Sequence, residues 1–247
     1  MANRLQPKKR LIICCDGTWN SSVSTDSPLT NVSRLSRCIE DVAPDGVAQI
    51  VYYHTGIGSG TWKHINAVDA SIGIGLEFIV RNVYSFICLN VGNPEDEIYL
   101  VGFSRGAYTV RCILALVNDI GLLTKEDLVH LHALYENWTN LNGSSKTADA
   151  GRKAWFESFL TVLENRELLR RPISIEACAV WDTVAAIGLP LPLPLPSITH
   201  NALEFVEASI PHTLNNVFHA LALNEERKNF KPLLWVNPPE KTTLRQC

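Results

Sequence analysis

The chain has 247 residues, 46% apolar and 19% charged, with 22 Lys and Arg against 25 Asp and Glu for a net charge of −3. That mix excludes a disordered chain and a broad basic surface for nucleic acid, and the length suits one large domain around a single core.

The start, Met1 to Arg10, is polar and basic, and the apolar run Leu11 to Cys15 is too short for a secretory signal. The longest uncharged stretch, 183–203, contains Pro190, Pro192, Pro194 and Pro196, which would break a membrane-spanning helix. Seven cysteines, an odd number with no C-x-x-C pair, read as reduced, mostly buried thiols. The expectation is a soluble, cytoplasmic protein with no metal and no cofactor.

Along the chain, Leu11 to Cys15 reads as a buried parallel strand running into Asp16-Gly17. Asn31 to Glu40 carries Val32, Leu35 and Ile39 on one helical face. Ala48 to Tyr53 is β-branched and aromatic, a second strand. The glycines 56, 58 and 60 that follow do not form a nucleotide phosphate loop, because no G-x-x-x-x-G-K-[ST] occurs. Leu76 to Leu89 is an apolar helix, Glu97 to Phe103 a third strand and Ala107 to Val117 a helix after it. Lys125 to Arg170 is helical and more polar, with a break at Gly143-Ser144-Ser145, and His130 and His132 point to different faces there. Ile173 to Val180 is a fourth strand, Leu189 to Pro196 an extended Leu-Pro strip, and Pro211 to Phe230 a last helix. Alternating strands and helices predict a mostly parallel sheet with helices on both faces. The organisation expected is a polar segment 1–10, one α/β domain 11–236, and a tail 237–247 without clear structure.

Gly102-Phe103-Ser104-Arg105-Gly106 matches G-x-S-x-G. A serine on a sharp strand-to-helix turn needs small residues two positions away on each side for the turn to close. Here a good strand precedes the motif and a good helix follows it, the context the pattern requires. The chemistry this points to is nucleophilic attack by Ser104 on an ester carbonyl, with the first amides of the helix facing the developing oxyanion. A glycine-bracketed turn in which Ser104 merely caps the helix is the alternative.

A serine hydroxyl needs a base held by a carboxylate, in the chain order Ser, Asp or Glu, His. Asp182 follows the fourth strand directly and so shares the carboxyl edge of the sheet with Ser104; its other reading is a turn cap. Only His200, His212 and His219 come after it. His219 lies among Leu214, Val217, Phe218 and Leu221, so a packed helix histidine competes with a base, and it is a weak catalytic candidate. Asp16, Gly17 and Thr18 follow the first strand on the same edge; with Arg105 they are the candidates for the oxyanion amides and their support.

Taken together, Asp16-Gly17-Thr18-Trp19-Asn20, Gly102 to Tyr108, Val180-Trp181-Asp182-Thr183-Val184, and Phe218-His219-Ala220-Leu221-Ala222-Leu223 with Arg227 and Trp235 resemble an uncharacterised α/β-hydrolase domain family. It is shared by many fungal proteins and by bacterial type VI secretion phospholipase effectors, and the resemblance runs from about Leu11 to Trp235. It implies an α/β-hydrolase fold, a Ser–Asp–His triad with Ser104 and Asp182 in the first two places, and a lipid or acyl-ester substrate met through transient membrane-surface contact. It also implies a catalytic histidine in a glycine-rich loop beyond a further strand, which this sequence does not contain. The expectation is therefore a hydrolase fold truncated at its C-terminal end and weakly active, with a non-catalytic binding domain as the alternative.

Overall fold

The computed structural model describes residues 6–17, 20, 28–56, 74–142, 150–183, 203, 205–206, 209–224, 226 and 232–247. Six strands form one sheet: β1 (Lys9–Cys15), β2 (Ala48–His54), β3 (Glu97–Phe103), β6 (Ile175–Trp181), β7 (Leu214–Ala220) and β8 (Thr243–Gln246). Their spatial order is β2-β1-β3-β6-β7-β8, and every neighbouring pair is parallel. Two-residue strands β4 (Leu122–Leu123) and β5 (Leu169–Arg170) pair antiparallel beside it.

Strand β1 shows why the sheet must be covered on both sides. Leu11, Ile13 and Cys15 enter the large core, while Ile12 and Cys14 enter a smaller cluster on the opposite face with Val32 and Val101. A strand with five successive apolar residues is stable only with both faces packed. Helix α1 (Asn31–Cys38) supplies Val32 to the small cluster. Helices α2 (Ile74–Asn90) and α3 (Arg105–Ile120) cover the other face. Most of α3 from Gly106 to Leu116 is buried, so truncating Ile113 to alanine there costs about 2–5 kcal/mol. A 3₁₀ turn (Glu126–His130), α4 (Leu131–Asn142) and α5 (Ala150–Asn165) form the helical excursion between β4 and β5.

Two expectations fail at the C-terminal third. The last helix expected over 211–230 is instead strand β7, hydrogen-bonded to β6 in register from Ile175↔Leu214 to Trp181↔Ala220. Leu214, Val217 and Leu221 fit a helical stripe by spacing, but the β6 edge beside them offers a full ladder of backbone partners, and Asn215 and Asn216 are weak helix formers. The tail expected to lack structure contains β8, whose Thr243 to Gln246 pair with Asn216 to His219. As an outer strand with an exposed-to-intermediate alternation it carries no apolar pattern to announce it. His130 and His132 fall on the 3₁₀ turn and on α4, where His132 meets Arg81 and Glu136. Among the described residues no group of three or more His, Cys, Asp or Glu could hold a metal, and no helix is long and apolar enough to cross a membrane.

Candidate active site

Ser104 leaves β3 with φ 54° and ψ −118° and starts α3. A non-glycine residue in that region carries on the order of 1–3 kcal/mol of backbone strain, which surrounding contacts must hold. Those contacts are present. The Ser104 amide donates to the Trp181 carbonyl at 2.9 Å, and the Tyr108 amide donates to the Ser104 carbonyl at 3.2 Å. A Cβ on Gly102 would lie 2.6 Å from Ala107 Cα, and one on Gly106 would lie 2.5 Å from the Asp16 carbonyl oxygen and collide with that of Cys15. Backbone stands against backbone at both positions, so only glycine fits. The Ser104 side chain makes no capping hydrogen bond, which removes the simple helix-cap reading.

Asp182 follows β6, the strand next to β3, and is also left-handed, at φ 42°. Its amide donates to the Ala220 carbonyl at 3.0 Å, and its Oδ1 accepts from the Ala222 amide at 2.5 Å. Ser104 and Asp182 thus occupy the carboxyl ends of adjacent parallel strands, each in a strained conformation fastened to the next strand.

The loop after β1 lies on the other side of Ser104. Asp16 is buried, and its carboxylate accepts four hydrogen bonds: from the Gly17 amide (2.7 Å), Thr30 Oγ1 (2.7 Å), Ser33 Oγ (2.8 Å) and Tyr53 OH (2.6 Å). Thr30, Ser33 and Tyr53 were not legible as site residues, because nothing in their spacing links them to Asp16. Thr30 alone carries a local signal, as the N-cap of α1. Gly17 is wedged against Phe103, 2.7 Å from a would-be Cβ, so the loop is braced on the residue before the serine. The Gly17 amide points to Asp16 rather than to an oxyanion, so Asp16 acts as the anchor of this loop. Thr18, the other oxyanion candidate from this loop, lies outside the described residues, as do His200, the Leu-Pro strip 189–196 and Arg227.

His219 sits within β7, register-paired with Val180, and is 1% exposed. Its Nδ1 is 2.9 Å from Gln246 Oε1, which also accepts from the Trp235 amide at 2.9 Å. The shared carbonyl oxygen fixes the hydrogen on Nδ1 and leaves a lone pair on Nε2, which is buried and without a partner among the described residues. Burial holds the imidazole below its ordinary pKa; the Gln246 bond and Asp182 oppose this, and the Arg111 charge reinforces it. Arg111, from α3, donates to the Leu233 carbonyl at 2.5 Å and stacks on Trp235 with 3.8 Å from guanidinium carbon to ring centre. In a triad the acid holds the base at Nδ1; here Gln246 occupies that atom. His212 is exposed and precedes β7, at the opposite end of the sheet from Ser104. His54, at the end of β2, shares the carboxyl edge, but β1 separates it from β3.

Residues 9–247 match the model of the type VI secretion family described as phospholipase effector Tle1-like, catalytic domain. The chain belongs to this family. An uncharacterized Saccharomyces cerevisiae protein, YEL023C, is 26% identical over 253 residues, covering 94% of this chain and 33% of its own length. The chain therefore spans about a third of that relative's length. A crystal structure of an uncharacterized Pseudomonas aeruginosa protein aligns with 92% of the chain and 37% of its own at a TM-score of 0.42 and 17% identity. The mostly parallel sheet with helices on both faces agrees with the α/β-hydrolase architecture expected of a Tle1-like domain.

Proposed function

We propose that this Tle1-like domain is a serine ester hydrolase acting on a glycerophospholipid or a similar acyl ester, with Ser104 as nucleophile and Asp182 as the acid of its triad. The observation that carries the proposal is the strained conformation of Ser104, held by backbone contacts at both flanking glycines. Ser104 Oγ attacks the ester carbonyl while a histidine takes its proton. The carbonyl oxygen becomes an oxyanion facing the Arg105 amide, and the alcohol departs with the proton, leaving an acyl-serine that water hydrolyses. Family membership supports a lipid substrate, met by transient contact with a membrane surface. Seven free thiols, five of them buried, support a reducing, cytoplasmic compartment.

A second reading, a non-catalytic hydrolase-like binding domain, is favoured by one observation: among the described residues no histidine is bonded to Asp182 or to Ser104. His219, with Nδ1 on Gln246 and Nε2 enclosed, serves as a structural residue in either case. A fluorophosphonate probe with mass-spectrometric mapping separates the two readings. The enzyme reading expects labelling at Ser104 that Ser104→Ala abolishes; labelling elsewhere, unchanged by that substitution, defeats it. Ester turnover that His219→Ala abolishes in a still-folded protein would make His219 the base.

A further inference from the structure

Wherever the fold draws an arginine out of water, it supplies a partner. Arg10 meets Asp45 and Glu97, and Arg171 meets Glu157 and Glu164. Arg81 bonds His132, Arg170 the Val91 carbonyl, and Arg111 the Leu233 carbonyl and the Trp235 ring. Arg34, Arg152, Arg166 and Arg245 stand in solvent. Arg105 is the exception among the described residues: it is partly buried, and its guanidinium has no hydrogen bond, ion pair or aromatic face. Burial alone acts on its pKa, downward, with no counter-charge to offset it. It also occupies the first position of α3, whose first turn contains no acidic residue, and there the helix dipole disfavours a cation. Two costs without compensation, in the residue next to the nucleophile, describe a charge waiting for an anion.

We propose that Arg105 is a specificity-determining residue that binds the phosphodiester of a glycerophospholipid whose scissile ester lies at Ser104. The inference rests on the ester-hydrolase reading of the site. The chemistry selects phosphate: a guanidinium presents parallel N–H donors that match two phosphate oxygens, and it stays charged at every physiological pH. An acyl-ester substrate has no free carboxylate at this place, whereas in a glycerophospholipid the phosphate shares the glycerol with both acyl esters, within the span of an extended arginine. Neutral glycerides lack the anion and gain nothing from Arg105.

Binding is measured first in the Ser104→Ala protein, so that turnover is not needed. Monomeric dihexanoyl phosphatidylcholine, dihexanoylglycerol and inorganic phosphate are titrated with and without Arg105→Gln. Loss of a charge-assisted pair should weaken the phospholipid by roughly tenfold to a hundredfold, and dihexanoylglycerol by far less. Arg105→Lys should fall between, keeping the charge without the fork. Equal weakening of both lipids, no phospholipid binding at all, or free phosphate binding as tightly as the diester overturns the assignment. Because the charge is desolvated and unpaired, Arg105→Gln should leave Tm unchanged or raise it; a fall of several degrees would mark a structural arginine instead. In the Ser104 protein, Arg105→Gln should lower the kcat/KM ratio of phospholipid to diacylglycerol at least about tenfold. If the Ser104 protein cleaves no ester, the hydrolase reading fails while the binding result still decides the role of Arg105.

Discussion

Replacing Asp16 with alanine should be among the most damaging single changes at the sheet edge. Its buried carboxylate collects three hydroxyl donors and one amide from three segments of chain: its own loop, the start of α1 and β2. Hydrogen bonds to a charged group contribute about 1.5–3 kcal/mol each, but the losses do not simply add. Ser33 Oγ and Tyr53 OH lie 2.9 Å apart and can bond each other once Asp16 is gone, and Thr30 still caps α1 through the Ser33 amide. Removal of the charge also removes its own desolvation cost. The net loss is about 3–5 kcal/mol, at the upper end for single substitutions. For a domain of this size each kcal/mol lowers Tm by about 2–4 °C, so thermal unfolding should move down by about 6–20 °C. The reactivity of Ser104 should suffer even where the variant is folded, because Gly17 braces Phe103, the residue before it. A displacement of order 1 Å at a reacting group can cost roughly a hundredfold, read as slower fluorophosphonate labelling of Ser104 at 20 °C below the variant's own Tm. A Tm within 3 °C of the parent, with an unchanged labelling rate, would refute the anchoring role.

Gly106→Ala places a methyl against the Cys15 and Asp16 carbonyls, so it should abolish Ser104 labelling and lower Tm, whereas an alanine tolerated on both counts would contradict the close approach. His219 has a depressed folded-state pKa, so its unfolded form takes up a proton first as pH falls. Its contribution to stability is complete above its unfolded value of about 6.5 and is lost as pH drops toward the folded value. Denaturant unfolding should therefore weaken between pH 7.5 and 5.5, less so in His219→Gln; identical slopes would show that the imidazole is not buried. Since His54 is depressed by burial too, the difference between the two profiles is the quantity to read. Thiol titration with an aromatic disulfide at pH 7.5 should count two of the seven cysteines, Cys38 and Cys247, in the native protein. Burial pushes Cys14, Cys88 and Cys178 up to about 12, and fast reaction of any of them would argue against the packed core.

The N-terminal half of the sheet was legible because its strands announce themselves on both faces. Glu97 to Phe103 is β3 to the residue, and the elbow after it has a spacing that steric necessity imposes. The C-terminal part was harder, since Leu214, Val217 and Leu221 satisfy a helical period as readily as a strand, and the decision belongs to β6 across the ladder. Placing His219 on a helix followed directly from that error; its ring instead lies inside the sheet, bonded through Nδ1 to Gln246. The Asp16 cluster was half visible. Asp16 follows its strand where a loop residue should, but its partners come from positions 30, 33 and 53, and their meeting depends on how the start of α1 and the end of β2 pack beside β1, which sequence spacing does not reveal.

The bond from the Ser104 amide to the Trp181 carbonyl has an evolutionary consequence. It makes the separation of Ser104 and Asp182 a lateral distance of one inter-strand step, roughly 5 Å, independent of the chain that runs between them. Everything from the end of α3 to the start of β6, including the paired helices α4 and α5, can lengthen, shorten or change composition without disturbing that step. Lineages are thus free to diversify this excursion while Ser104 and Asp182 stay in place. Sequence drift should concentrate there, and chimeras that exchange residues 126–165 between family members should keep their nucleophile reactive while their substrate preferences change.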